Sequence, residues 1–136
     1  MCNILSWNIR GSRSSEKAKL LRRLVRKKRP VIVALQETKR GGLDHRVLKQ
    51  LWGNKPHGWA EVPSIGASGG MVIIWDSLRL QALEILKGDY SLSVRFKDLD
   101  LGEEWAFTNV YGPVNPSEKI DFWSELSNVG GYWDIP

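Results

Sequence analysis

Two polar residues near the N-terminus have the side-chain types and positions to take part in metal chemistry. Asn8 ends the strand-forming run Ile-Leu-Ser-Trp, and Glu37 comes just after the apolar run 31–35. A carboxylate is the hard oxygen ligand that Mg²⁺ uses in proteins, usually with several waters and a substrate phosphate. A glutamate after a strand is also an ordinary solvent-exposed residue, so spacing alone leaves both interpretations of Glu37 open.

The elements around these two residues predict that they lie close together. A basic helix is predicted over 16–29 from an apolar stripe at helical spacing, formed by Ala18, Leu21, Leu24 and Val25. Pro30 prevents its continuation, and the run 31–35 is typical of a strand covered on both faces. A strand, helix, strand unit makes the two strands parallel. Because open α/β sheets bind ligands at the carboxyl ends of such strands, we expect Asn8 and Glu37 to share one rim.

The rest of the chain predicts two more helices and a set of strands. A short helix is expected over 43–53, and a last helix after Asn115 and Pro116. Period-two alternation predicts an antiparallel meander with strands at 71–75, 78–85, 90–97 and 104–111. The inner face of the last helix is expected to be Ile120, Trp123 and Leu126. Core packing is expected for Trp75, Trp105 and Trp123.

Three other features have residue types found in functional sites but are expected to be structural. His45 and His57 have no Asp or Ser beside them that would suggest a catalytic pair, so both are expected at the surface, His57 in a loop. The glycine-rich stretch 65–70 lacks the Gly-Lys-Ser/Thr ending of a P-loop and precedes a strand. We interpret it as a turn.

Composition indicates one globular domain. The 136 residues are 42% hydrophobic and 26% charged, which excludes a disordered or a membrane-spanning class. A single cysteine, Cys2, excludes an internal disulfide and a cysteine-based zinc site. The N-terminus has no basic region followed by an apolar one, so we expect an intracellular protein, with the nucleus as one candidate compartment.

The basic charge is concentrated in the first predicted helix. The net charge is +5 and the isoelectric point is about 9.5, and most of the excess falls in 16–29. This pattern suits an acidic partner such as nucleic acid. It equally suits the solvated outer surface of a helix that covers a sheet.

Five segments, in this order, resemble the endonuclease/exonuclease/phosphatase family: ILSWNIRG, PVIVALQETK, GGMVIIW, FTNVYGP and FWSEL. They look most like the endonuclease domains of LINE-type non-LTR retrotransposons from plants. The resemblance implies an α/β chain over 1–136, a single partial domain. It would be the N-terminal part of the DNase I-like four-layer α/β sandwich, a mixed β-sheet flanked by helices, here truncated to roughly one sheet.

The resemblance also implies roles for individual residues. Glu37 matches the family's magnesium-binding glutamate, with Mn²⁺ as an alternative ion, and Asn8 matches the asparagine that orients the metal site. Tyr111 matches the tyrosine that approaches the scissile phosphate. Lys39 and Asn115 are further candidates for binding the phosphate. DNA is the implied partner, and no membrane is implied.

The sequence departs from the family at two points. The family's downstream Gly-Asp-Phe-Asn and Ser-Asp-His motifs do not occur within the 136 residues, and Arg10 stands where several family nucleases carry an acidic residue. We therefore expect a truncated relative of a Mg²⁺-dependent DNA endonuclease with little or no turnover. Its bare sheet face would be covered by the missing C-terminal half or by self-association.

Two alternatives stay open. The first is a non-catalytic nucleic-acid-binding module that uses the basic helix 16–29. The second keeps the family but changes the substrate to inositol phosphates or phospholipid head groups, and it ranks last because no head-group pocket is recognisable in the sequence.

Overall fold

A computed structural model describes residues 3–8, 15–36, 45–63, 70–113 and 116–135, with side chains from residue 19 in the first helix and from residue 49 in the second. The elements, in chain order, are β1 (Ile4–Asn8), α1 (Ser15–Lys28), β2 (Ile32–Gln36), α2 (His45–Trp52), β3 (His57–Val62), β4 (Met71–Asp76), β5 (Leu80–Lys87), β6 (Ser91–Asp98), β7 (Glu104–Val110), a 3₁₀ turn (Pro116–Glu118) and α3 (Lys119–Gly130). Outside this description lie Cys2, Arg10, Glu37, Lys39, the side chain of His45, residues 65–69 of the turn expected at 65–70, and Asn115.

The first sheet has the strand order β1-β2-β4-β3. β1 and β2 are parallel, as the strand, helix, strand unit predicts. β4 was expected in a meander with the later strands, but it runs antiparallel to β2 and β3 in this sheet. β3 was not predicted, and His57 begins this strand instead of lying in a loop. Its side chains are mostly half-buried, so no alternation of apolar and polar residues marks it as a strand.

The second sheet is an antiparallel meander of β5, β6 and β7, as predicted. The expectation of roughly one sheet was wrong, because the described chain forms two. Every second residue of the facing strands points into a core that the two sheets share. Its members include Ile32, Met71, Ile73, Leu92 and Phe96. The apolar inner faces of the two sheets therefore cover each other.

A second core lies on the other side of the first sheet. Leu21 and Val25 of α1 and Leu51 and Trp52 of α2 pack on Val33, Leu35, Val72 and Ile74. Since α3 lies against the outer side of β6, the layers run helices, sheet, sheet, helix. This is the expected four-layer α/β sandwich. None of the described helices is long and apolar enough to cross a membrane.

The last helix faces the sheet with different residues from those expected. Ile120 and Trp123 are 77% and 64% exposed, so their assignment to the inner face was wrong. Phe122 instead makes an edge-to-face contact with Tyr90, at 5.6 Å between ring centroids. The Glu125 carboxylate accepts hydrogen bonds from the N–H groups of Asp89 and Tyr90 at 2.7 and 2.9 Å.

The hydrogen bonds to Glu125 explain why α3 is rotated about its axis relative to the prediction. The Ser91 hydroxyl also donates to Glu125, at 2.6 Å, so one carboxylate caps the turn between β5 and β6. A helix can present only one stripe to the sheet, and the stripe through Phe122 and Glu125 excludes Trp123. The other two tryptophans behave as predicted. Trp75 is buried, and Trp105 packs against the core between the sheets.

Candidate active site

The rim at which β1 and β2 end contains the first predicted site residue. Asn8 is paired in register with Gln36, because the two parallel strands end side by side. Asn8 is exposed at this edge. Glu37 is the residue after Gln36 in the chain, although it lies outside the described part. The register therefore brings Asn8 next to the residue that precedes Glu37, as parallel pairing of the two strands requires.

A buried asparagine from the second sheet joins this rim. Asn109, which is 2% exposed, donates from Nδ2 to the Leu35 carbonyl at 3.0 Å and to the Val72 carbonyl at 3.1 Å. Its Oδ1 accepts a hydrogen bond from Gln36 Nε2 at 2.6 Å. A single amide thus uses both its donor and its acceptor capacity to hold β2, β4 and β7 together.

The network extends to β1 through Gln36. Its Nε2 also donates to the Ser6 hydroxyl, at 3.0 Å. Four strands from two sheets are consequently joined at the edge where Asn8 lies. A buried amide that bonds through both its oxygen and its nitrogen, as Asn109 does, favours a single local geometry. The end of β2, from which Glu37 continues, is therefore fixed relative to β1 and β7.

Tyr111 lies immediately after β7, two residues beyond Asn109. Its backbone N–H donates to the Tyr90 carbonyl at 2.9 Å, and its half-buried ring packs against the core between the sheets. Because Asn109 holds the end of β7 beside the end of β2, Tyr111 continues from the same edge as Asn8. The chain brings Asn8 and Tyr111 to one end of the sandwich from opposite sheets.

The phenol of Tyr90, next to this edge, has a raised pKa. Partial burial raises its pKa above the ordinary value of 10.0, and the nearby carboxylates of Glu118 and Asp121 raise it further. An anionic phenolate would be poorly solvated and would face these negative charges. Tyr90 contributes to this edge through its backbone carbonyl, which accepts the Tyr111 N–H, and its ring packs on Phe122.

Sequence reasoning missed Asn109 and Gln36, although a signal for Asn109 exists. Alternation along β7 puts Asn109 on the same face as Trp105 and Phe107, which contact the inter-sheet core. A polar residue at a core position of a strand needs buried hydrogen-bond partners. That mismatch between residue type and strand position is visible in the amino-acid sequence, but the sequence does not indicate which groups Asn109 bonds.

The described side chains do not by themselves form a metal centre. Among the residues described, no three or more His, Cys, Asp or Glu side chains come together in a way that could hold an ion. The rim does offer the Asn8 amide at an exposed edge beside the end of β2. Amide and carboxylate oxygens suit Mg²⁺, which keeps several waters and needs few protein ligands. The amide oxygen of Asn8 is thus chemically compatible with such an ion.

The sequence of this α/β core matches a known family. Residues 5–82 match the model of the Endonuclease/Exonuclease/phosphatase family. The chain belongs to that family. The matched segment contains β2, β4 and all of β1 except Ile4, the strands that build the rim around Asn8. No curated protein sequence gives a significant match to this family member.

Solved structures have the same fold. The AP endonuclease LMAP from Leishmania major is 19% identical, with a TM-score of 0.59 over 81% of this chain and 40% of that one. The human Nocturnin catalytic domain with bound sulfate is 16% identical, with a TM-score of 0.63 over 98% and 61%. TDP2 from D. rerio, complexed with a single-strand DNA product, is 17% identical, with a TM-score of 0.66 over 96% and 55%.

These likenesses establish the DNase I-like fold of this family member. The chain spans between 40% and 61% of the length of these three solved structures. It corresponds to a part of the domain they contain, and the arrangement of two packed sheets with helices outside is common to all of them.

Proposed function

We propose that this chain is the N-terminal part of a Mg²⁺-dependent phosphodiesterase of the DNA endonuclease type. The observation that carries the proposal is the parallel register that sets Asn8 beside Gln36, the residue before Glu37. Family membership supports a hydrolase of phosphodiester bonds. We further infer an origin in a plant LINE-type retrotransposon, from the resemblance of its five segments, and action on nuclear DNA.

In this proposal Glu37 and Asn8 hold the ion and Tyr111 approaches the phosphate. A bound Mg²⁺ would stabilise the negative charge that develops on the phosphate oxygens. Lys39 and Asn115 would contact the same phosphate. The Asn109–Gln36 hydrogen bond keeps the strand end before Glu37 beside Asn8, which a two-ligand site requires because a loosely held ligand loses affinity.

We also propose that the 136-residue chain alone turns over little substrate. It spans between 40% and 61% of the solved relatives, and the family's Gly-Asp-Phe-Asn and Ser-Asp-His motifs are absent from its sequence. Loss of one general acid or base lowers a rate by roughly 10²- to 10⁴-fold. We propose that the complete domain covers the remaining apolar surface, which otherwise favours self-association.

Two measurements test these statements separately. Nicking of supercoiled plasmid DNA with Mg²⁺ tests turnover, with Glu37→Ala as the control. Strong cleavage that disappears in Glu37→Ala would support the site and refute the proposed inactivity. Binding of Mn²⁺, followed by electron paramagnetic resonance, tests the half-site without turnover. We expect weak binding that Glu37→Gln and Asn8→Ala both reduce, and unchanged binding in both variants would refute the metal site.

The surface of α1 supports a second candidate function, a non-catalytic module that binds nucleic acid through the basic helix 16–29. Exposed cations along this helix are Lys19, Arg23, Arg26, Lys27 and Lys28. Binding through phosphate contacts releases counterions, so affinity should fall steeply with salt. A flat salt response, or no binding at low salt, would exclude this function.

A further inference from the structure

A cleft lies at the end of the first sheet opposite the rim, where β2 begins and β4 ends. Its walls come from the end of α1, the end of α2 and the turn that follows β4. The length of β2 separates the cleft from the rim. Its five residues, at about 3.3 Å each, span about 15 Å. The cleft is therefore spatially distinct from the proposed metal site and needs an explanation of its own.

Positive charge dominates the cleft. Arg26, Arg29, Lys55 and Arg79 line it, against the single carboxylate of Asp76. In the described part of the chain none of the four cations forms an ion pair, since the ion pairs found there belong to Arg95. Asp76 Oδ1 accepts the Leu78 N–H at 2.9 Å and so serves its local turn. Four cations facing one carboxylate create a positive potential that attracts anions.

Stabilisation of the helix end does not account for these cations. Basic residues often follow a helix because they compensate its exposed carbonyls. Here Asn3 Nδ2 donates to the Lys28 carbonyl at 2.8 Å, and the Arg29 N–H donates to the Val25 carbonyl at 2.9 Å. Lys55 and Arg79 moreover belong to other elements, which a role at the end of α1 leaves unexplained.

The floor of the cleft is apolar. Val25, Pro30 and the indole of Trp52 form it, all three buried in the fold. The cleft volume of about 340 Å³ is near the lower end of the range for small-molecule sites. An apolar floor under a cationic margin suits a ligand with a flat or apolar body and a phosphate. A nucleotide unit has this chemistry.

We propose that this cleft is a second binding site, which takes the phosphate of a nucleotide unit on its cations and the sugar or base on its apolar floor. The unit belongs to a nucleic acid strand or is a free nucleotide, and these two sources share the same recognised chemistry. The site does not depend on the proposed cleavage chemistry, because it uses no residue of the rim and needs no metal ion.

Binding of a fluorescein-labelled oligothymidylate, measured by fluorescence anisotropy in EDTA over a salt series, tests the proposal. The cleft variant is Lys55→Gln/Arg79→Gln. The matched control is Lys87→Gln/Lys97→Gln, which removes equal charge from exposed positions of the second sheet. We expect the cleft variant to lose about tenfold in affinity and its salt slope to fall by about 1.4, since each contact to a single strand contributes about 0.7. The control should lose no more than about twofold to threefold.

A third variant removes a cleft cation at no cost to the backbone. Arg29 has a φ of 46°, in the left-handed region that glycine adopts readily. Arg29→Gly should therefore fold at least as well as the wild type while its affinity falls. Retained affinity in a folded Arg29→Gly protein, together with equal losses in the two double variants, would overturn the proposal. Absence of wild-type binding at low salt would overturn it too.

Competition identifies the source of the nucleotide unit. Displacement of the oligonucleotide by thymidine 5′-monophosphate would support a free nucleotide, and displacement only by unlabelled oligonucleotide would support a strand. Inorganic phosphate that competes as well as the nucleotide would overturn recognition of a nucleotide. Because EDTA removes metal ions from this assay, failure of the cleft and failure of the proposed metal site can be told apart.

Discussion

Asn109 Oδ1 lies 2.6 Å from Gln36 Nε2, and this hydrogen bond joins two sheets across 73 positions of the chain. The same asparagine donates to carbonyls at the end of β2 and the beginning of β4. The rim around Asn8 is therefore held together by a buried side chain of the second sheet. The geometry of the proposed metal site depends on packing between the sheets as much as on its own strands.

Replacement of Asn109 should destabilise the protein strongly. In Asn109→Ala three hydrogen bonds are lost, and two buried carbonyls, those of Leu35 and Val72, lose a donor. Buried groups without partners cost about 1–3 kcal/mol each, so we expect a loss of about 2–4 kcal/mol in the free energy of unfolding. Urea denaturation measures it, with Asn54→Ala, at an exposed loop position, as the control. A loss below about 0.5 kcal/mol would show that the network contributes little.

Glu125 should anchor α3 to the second sheet. Its carboxylate accepts bonds from the backbone of Asp89 and Tyr90 and from the Ser91 hydroxyl. Because bonds to a charged group contribute about 1.5–3 kcal/mol, Glu125→Ala should expose α3 to hydrogen exchange before the sheets open. Amide exchange read by mass spectrometry checks this. The exposed Glu118→Ala is the control, and equal protection of α3 in both variants would contradict the assignment.

Gly58 should tolerate no larger residue. A methyl group at this position would overlap the indole of Trp75, which faces Gly58 across the pair of β3 and β4. Overpacking of this kind costs about 1–3 kcal/mol, so Gly58→Ala should lower the thermal midpoint. Gly130→Ala is the matched control, because open space surrounds that position at the end of α3. An unchanged midpoint in Gly58→Ala would mean that Trp75 can move aside.

Ionisation of Tyr132 should make the free energy of unfolding depend on pH in the alkaline range. Its hydroxyl hydrogen-bonds to Glu84, and this contact, with the charge of the carboxylate, raises the pKa of Tyr132 above 10.0 in the folded protein. Because the folded state keeps a proton that the unfolded state loses, the stabilisation is complete below pH 10 and is lost as pH rises through the folded pKa.

The variant Tyr132→Phe isolates this contribution from that of Tyr90, whose pKa is raised as well. We expect its stability to fall less steeply above pH 10 than that of the wild type, and to be lower at neutral pH. Urea denaturation across this pH range measures both effects. Parallel curves for the two proteins would show that the contact between Tyr132 and Glu84 is absent in solution.

Sequence patterns were sufficient to predict the secondary-structure elements around Asn8. The apolar stripe of α1 and the run before Glu37 predict a strand, helix, strand unit, and parallel pairing of β1 with β2 follows from that order. These features depend on local periodicity and on connection lengths, which a single sequence contains. The meander of β5, β6 and β7 was accessible for the same reason, since short turns join neighbouring strands.

The sequence by itself therefore determined the strand unit that carries Asn8, the meander and the family resemblance. Only the tertiary structure decided that β4 leaves the meander for the first sheet, that Phe122 replaces Trp123 on the inner face of α3, and that Asn109 holds the rim. The physical reason is the same in all three cases. Periodicity identifies which side of an element is buried, but the partner on that side is selected by packing and hydrogen bonds between residues far apart in the chain.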